Sequence, residues 1–227
     1  MKDASRKTVG WLVCGLGLGL LSMGALRYSA GTPTALTPFA GLATPGYVAT
    51  TVLFTILLFR AGLPMNRFGF GVRPGPRHFL LAVAAVAFLR VFAVALDPLI
   101  EEFLGGPRNL ERFSGVEGSL PSLLVLLAVN WTLAAFGEEF AYRIVLMRGI
   151  SYALGDSRAG LIAAVVLQAV LFGLIHAYQG PAGIAGSALS GLVFGAVTIA
   201  ARWSIWPAAL AHGANNTIGI LALFFGE

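Results

Sequence analysis

Glu138 and Glu139 stand side by side in the run Gly137-Glu138-Glu139-Phe140-Ala141-Tyr142-Arg143, inside an otherwise apolar stretch. On a helix, neighbours point about 100° apart, so two adjacent carboxylates cannot share one task. Glu139 and Arg143, four residues apart, fall on one face, where a carboxylate can meet a guanidinium. In a low-dielectric setting that pair neutralises itself and leaves Glu138 facing elsewhere, unpaired by any local base. An isolated carboxylate there suits general acid–base work near neutrality. Two glutamates at a membrane interface would be the plain alternative if this motif stood alone.

His176 ends the run Phe172-Gly173-Leu174-Ile175-His176, 38 residues after Glu138. The turn signal between them is Gly155-Asp156-Ser157. A helical hairpin folding back there places both side chains about 19 residues from the turn and, at about 1.5 Å per residue, at nearly one depth. This requires the helix that carries Glu138 to run on through Arg148. His212 and Asn216 follow at i and i+4, presenting an imidazole and a carboxamide on one face. An imidazole can ligate a metal or donate a hydrogen bond, and an amide can stabilise an oxyanion. His212 comes soon after Pro207, so either the sixth span is short and tilted or the Trp203–Trp206 corner dips into the bilayer.

The elements that must position these groups are set by composition. The 227 residues are 57% hydrophobic and 11% charged, with mean hydropathy +0.83. Soluble domains carry about 25% charged residues, so a soluble globular fold is excluded. The expected fold is all-α: one polytopic helical bundle over 1–227, with about seven transmembrane helices, or eight. Candidate spans are 9–26, 39–59, 79–100, 121–142, 159–178, 184–201 and 207–225, each near the roughly 20 residues a bilayer needs. The hairpin argument lengthens the fourth. The first span follows Lys2, Arg6 and Lys7 and is read as an uncleaved anchor.

Net charge is +5, and the basic residues fall between apolar runs, as topology signals rather than a nucleic-acid surface. Eleven of them sort to one side against three, Arg27, Arg108 and Arg112, on the other. The expectation is a cytoplasmic N-terminus in a bacterial inner membrane. The lone Cys14 excludes an internal disulfide framework and reads as a small buried hydrophobe. Gly15/Gly19 and Gly191/Gly195 have the spacing of close helix packing. Arg90 and Asp97, seven apart within a span, read as structural charges, paired with each other through water or with other spans, or snorkelling to the interface; Asn130 and Gln168 are the uncharged polar groups at similar positions.

Taken in order, Glu-Glu-x-x-x-Arg, then Phe-x-x-x-His, then His-x-x-x-Asn resembles the CPBP intramembrane proteases, also called the CAAX-protease and bacteriocin-processing or Abi family. The resemblance covers about 121–225 and implies peptide-bond hydrolysis in or near the membrane by a CAAX prenyl endopeptidase-like enzyme. It implies Glu138 activating water with His176 beside it, and His212 with Asn216 steadying the oxyanion. Glu139, Arg143 and Phe172 would support the site. The implied partners are membrane lipids and a peptide or prenylated-protein substrate, with no nucleic acid. Eukaryotic relatives remove the last three residues of prenylated CAAX proteins, and bacterial members act on diverse substrates. No cofactor is certain: Glu138, His176 and His212 could supply three zinc ligands, and the same set could work without metal, which is the expectation. The alternatives are a non-catalytic scaffold or bacteriocin-immunity protein that keeps the fold, and a small proton-coupled transporter.

Overall fold

The computed structural model describes residues 5–31, 34–63, 69 and 73–226. Lys2 and Arg67, both counted in the topology, lie outside the described residues. Seven apolar helices follow one another: α1 (Arg6–Ser29), α2 (Ala43–Arg60), α3 (Pro76–Leu104), α4 (Leu120–Ala153), α5 (Arg158–Leu174), α6 (Gly180–Ala200) and α7 (Trp206–Phe225). Six are long and apolar enough to cross a membrane; α5, with 17 residues, is the shorter one. No strand occurs among the described residues, and the helical bundle expected from composition is what forms.

Burial differs from that of a soluble protein: large apolar side chains cover the outside as well as the core, and several polar groups are buried. Leu80, Val83, Val91 and Val94 of α3 are exposed, Val94 at 84%. The buried positions hold Glu139, Arg143, Gln168 and Thr198, each at 0%. In lipid, apolar side chains need no protein cover, whereas polar groups must find partners inside the bundle. Cys14 follows the same logic and corrects the expectation: it is exposed on the apolar outer face of α1, not buried.

Small residues let the helices close. A side chain at Gly15 or Gly19 would strike Phe54 or Thr50 of α2, and one at Gly191 would meet the Ala169 backbone of α5. Gln168 uses that proximity to donate to the Gly191 carbonyl at 2.8 Å. Both glycine pairs therefore do the packing that their spacing predicts.

The hairpin between α4 and α5 turns where expected. Gly155 and Asp156 both take left-handed φ, 86° and 53°. Asp156 is held by a bidentate Arg148 fork, with Nη2 2.9 Å from Oδ2, and by Ser151. Ser157 then caps α5 through the Gly160 amide at 3.0 Å. As the hairpin required, α4 runs past Arg148 to Ala153. Its interior is not regular: Asn130–Glu138 and Phe140–Met147 are π-helical.

The corner between α6 and α7 packs against the rest of the bundle. Ala201, Ser204 and Ile205 are buried, and Gly69 packs directly on the main chain of Trp203 and Ile205. Arg202 and Trp203 turn the chain with positive φ, and the Arg148 guanidinium lies 5.0 Å over the Trp203 ring. Much of the corner is thus covered by protein, and His212 is buried only six residues after the start of α7.

Candidate active site

Glu138 and Glu139 occupy the junction of the two π-helical stretches of α4. Both are buried, and each finds a different environment. Glu138 is 6% exposed, with Oε1 3.5 Å from Arg27 Nη1. Its Oε2 is buried with no hydrogen-bond partner among the described residues. Arg27 comes from the last turn of α1, 111 residues away, so the expectation of a carboxylate without a base holds only for its own sequence neighbourhood. That turn is pinned: a Cβ on Gly24 would fall 2.9 Å from the Ile175 Cα, next to His176. From α2, the Tyr47 hydroxyl donates to the Gly137 carbonyl at 3.1 Å.

Glu139 is fully buried and faces two cations or potential cations. Arg143 Nε lies 3.0 Å from Oε2, the i,i+4 ion pair that the spacing predicts, though not aligned as a hydrogen bond. The Arg143 guanidinium spreads over the Phe172 ring at 4.4 Å and near Phe194 at 5.4 Å. Aromatic faces supply part of the stabilisation that missing acceptors do not. On its other oxygen, Glu139 accepts a hydrogen bond from His212 Nδ1 at 2.8 Å.

His176 lies beyond the end of α5, which stops at Leu174, so the expected span 159–178 is too long at its C-terminal end. Its Nδ1 is 2.7 Å from the Phe172 carbonyl. A carbonyl only accepts, so Nδ1 carries the proton and Nε2 of the neutral ring is left as an acceptor. The same argument applies to His212, whose Nδ1 donates to Glu139. The neutral His212 ring therefore offers no donor to an oxyanion at Nε2; only the doubly protonated ring does.

Phe172 is the hub of the cluster. Its ring is 5.1 Å from Tyr142, 4.8 Å from His176 and 5.9 Å from His212, centroid to centroid. Phe194 of α6 stacks on the other side of His212 at 5.1 Å. Glu138 is within electrostatic reach of His176, Arg27, His212 and Arg143. Residues of all three motifs thus lie within electrostatic reach of Glu138.

Asn216 is the outlier: half-buried, it makes no hydrogen bond among the described residues. Its neighbourhood is tied instead by Asn130, whose amide donates to the Gly213 carbonyl at 3.0 Å and to Thr217 at 3.3 Å. Arg90 and Asp97 form no direct ion pair with each other among the described residues. Asp97 faces Arg108 at 3.9 Å, and Arg90 Nε is buried without a hydrogen bond.

The possible zinc set, Glu138, His176 and His212, does not assemble in this arrangement. Among the described residues, no three His, Cys, Asp or Glu side chains are grouped so as to hold one ion. One oxygen of Glu138 also faces the Arg27 guanidinium, which is poor company for a dication. The residues as placed do not fit a zinc centre.

Sequence reasoning missed Arg27, Tyr47, Tyr142 and Phe194. Tyr142 lies one turn from Glu138, fully buried, with its hydroxyl unpartnered. The available signal was the i+4 spacing from Glu138; Arg27 had been assigned wholly to topology.

The family model described as type II CAAX prenyl endopeptidase Rce1-like matches residues 120–218. Comparison with curated proteins finds no match, and comparison with solved structures finds none either. The matched stretch runs from the start of α4 into α7 and contains all three motifs. Residues 120–218 are thus similar to the Rce1-like family, within an integral membrane protein.

Proposed function

We propose that the protein is a CAAX-type intramembrane endopeptidase in which Glu138 activates the attacking water. The observation that carries this reading is the Glu138 carboxylate: Oε1 faces Arg27 at 3.5 Å, and buried Oε2 has no hydrogen-bond partner among the described residues. An ionised oxygen left open in a protein interior is a place for a water molecule, because leaving it unsatisfied is costly.

In the proposed reaction Glu138 takes a proton from water as the oxygen attacks the scissile carbonyl carbon. The C–N bond breaks when that proton passes on to the leaving amine. His176, with Nδ1–H fixed on Phe172, keeps its Nε2 lone pair available to orient the same water. His212, aligned by Glu139, can accept and return a proton in the manner of an imidazole backed by a carboxylate. Asn216, one turn further along α7, supplies an amide donor for the oxyanion. Glu139 and Arg143 position His212 and keep the π-helical junction neutral.

The substrate class follows from the surroundings. An apolar cavity of 340 Å³, bounded by Leu21, Gly24, Ala25, Tyr28, Leu174 and Ala177, opens beside the turn that carries His176. A peptide with an apolar or prenylated segment suits it. The test is cleavage of a prenylated peptide by the purified full-length protein, read by mass spectrometry, with Glu138→Gln as control. Loss of cleavage in a folded Glu138→Gln protein supports the reading. Cleavage undiminished in that variant refutes it, and a folded wild type that cuts no peptide favours the scaffold.

A further inference from the structure

We infer that Arg27 and Arg112, flanking Tyr178, form a subsite for the free C-terminal carboxylate of the peptide being cut. The inference rests on the proposed hydrolysis and names how its substrate is gripped. Arg27 contacts Glu138 through a single long approach, Nη1 to Oε1, and its side chain is 20% exposed. Most of its five N–H donors are free of that contact. Arg112 belongs to the short helix Glu111–Val116, which precedes α4. Its guanidinium lies 4.5 Å over the Tyr178 ring, it is exposed, and among the described residues it forms no ion pair.

Tyr178 follows His176 by two residues, with the rings 5.8 Å apart. Arg27, Arg112 and Glu138 all lie within electrostatic reach of its hydroxyl. The segment that carries Arg112 is fastened to this turn by the Asn109 amide, which donates to the Gln179 carbonyl at 3.0 Å. Two guanidinium groups from separate elements are thereby held at the mouth of the site.

Charge balance says what they await. Glu139 and Arg143 cancel each other, which leaves two cations around Tyr178, Arg27 beside Glu138 and Arg112 over the Tyr178 ring, against the single carboxylate of Glu138. Glu111, next to Arg112, is exposed. The mouth has one positive charge to spare in largely apolar surroundings. Guanidinium groups grip carboxylates through paired N–H donors. A peptide cut close to its end brings one such group in every case, its own α-carboxylate. A side-chain carboxylate would be sequence-dependent, and a lipid phosphate would not need to sit against the reacting groups.

The experiment measures binding, so it does not depend on turnover. A fluorescent prenylated peptide is made with a C-terminal acid and, separately, a C-terminal amide. Each is titrated into full-length Glu138→Gln protein in nanodiscs of neutral lipid. The acid form is expected to bind about 10- to 100-fold more tightly, the range that hydrogen bonds to a charged group confer. Adding Arg112→Gln should erase most of that difference, and Arg112→Lys should keep part of it. Arg112 is exposed, so its variants should fold. Equal binding of acid and amide overturns the subsite while leaving the hydrolytic reading to its own cleavage test. A preference that Arg112→Gln does not change also overturns it. So does an Arg112 effect seen only in anionic nanodiscs, which would assign the cations to lipid headgroups.

Discussion

Glu139 Oε1 and His212 Nδ1 are 2.8 Å apart, joining α4 to α7 across 73 residues of chain. Glu139 is thus neither a spare copy of Glu138 nor only a partner for Arg143. It fixes which nitrogen of His212 carries the proton and so decides what that ring can do next.

The two glutamates should separate cleanly on substitution. Glu138→Gln is expected to abolish hydrolysis with little change in Tm. Glu139→Ala should cost about 3–5 kcal/mol of stability, because Arg143 is left as an unpaired buried charge. Thermal melts in detergent, run alongside the cleavage assay, check both.

Asn216→Ala is expected to lower kcat by about 100- to 1,000-fold with little change in KM, the pattern for losing a donor used in the transition state. Asn215→Ala should be milder in turnover. The Asn215 Oδ1 is buried and unpartnered, so a loss of stability without a kinetic effect at Asn216 would reverse their roles.

Metal content is a separate test. The purified protein should hold well under one zinc per chain by elemental analysis, since the Glu138, His176 and His212 side chains are not grouped around one point. One equivalent of zinc, lost in His176→Ala, would mean that the site rearranges to bind it.

Topology can be read by labelling in a Cys14→Ser background, which is necessary because Cys14 is exposed. A cysteine at Glu102 should react from outside and one at Arg73 from the cytoplasm, following the positive-inside rule. Arg27, the Glu111–Val116 helix and the His176 turn all lie at the Glu102 end of the bundle, so this labelling also fixes the side from which a substrate enters.

The helices, the hairpin turn and the Glu139–Arg143 pair were legible because each depends on local spacing or on runs of one solvent preference. The meeting of Glu138 with His176 was legible for a related reason: one clear turn signal stood midway between them. Arg27 was not, since its contact spans 111 residues and its charge already had a topological explanation. The protonation of the His212 ring depends on Glu139, whose spacing pointed only to Arg143. The π-helical stretches leave no periodic trace, and the end of α5 at Leu174 is set by a turn within an apolar run.

Those π-helical stretches give α4 a property that an α-helix would lack. Each closes its hydrogen bonds one residue further along than an α turn does, so the segment Asn130–Glu138 stores surplus chain between two ends held by neighbours. Asn130 is tied to Gly213 at one end, and Glu138 and Glu139 to Arg27 and His212 at the other. Removing one residue between them would let a turn relax to α without turning the glutamates away from their partners. An ordinary helix losing one residue there would rotate everything beyond it by about 100°. In α4 the irregularity is slack, and the slack protects the aim of the site.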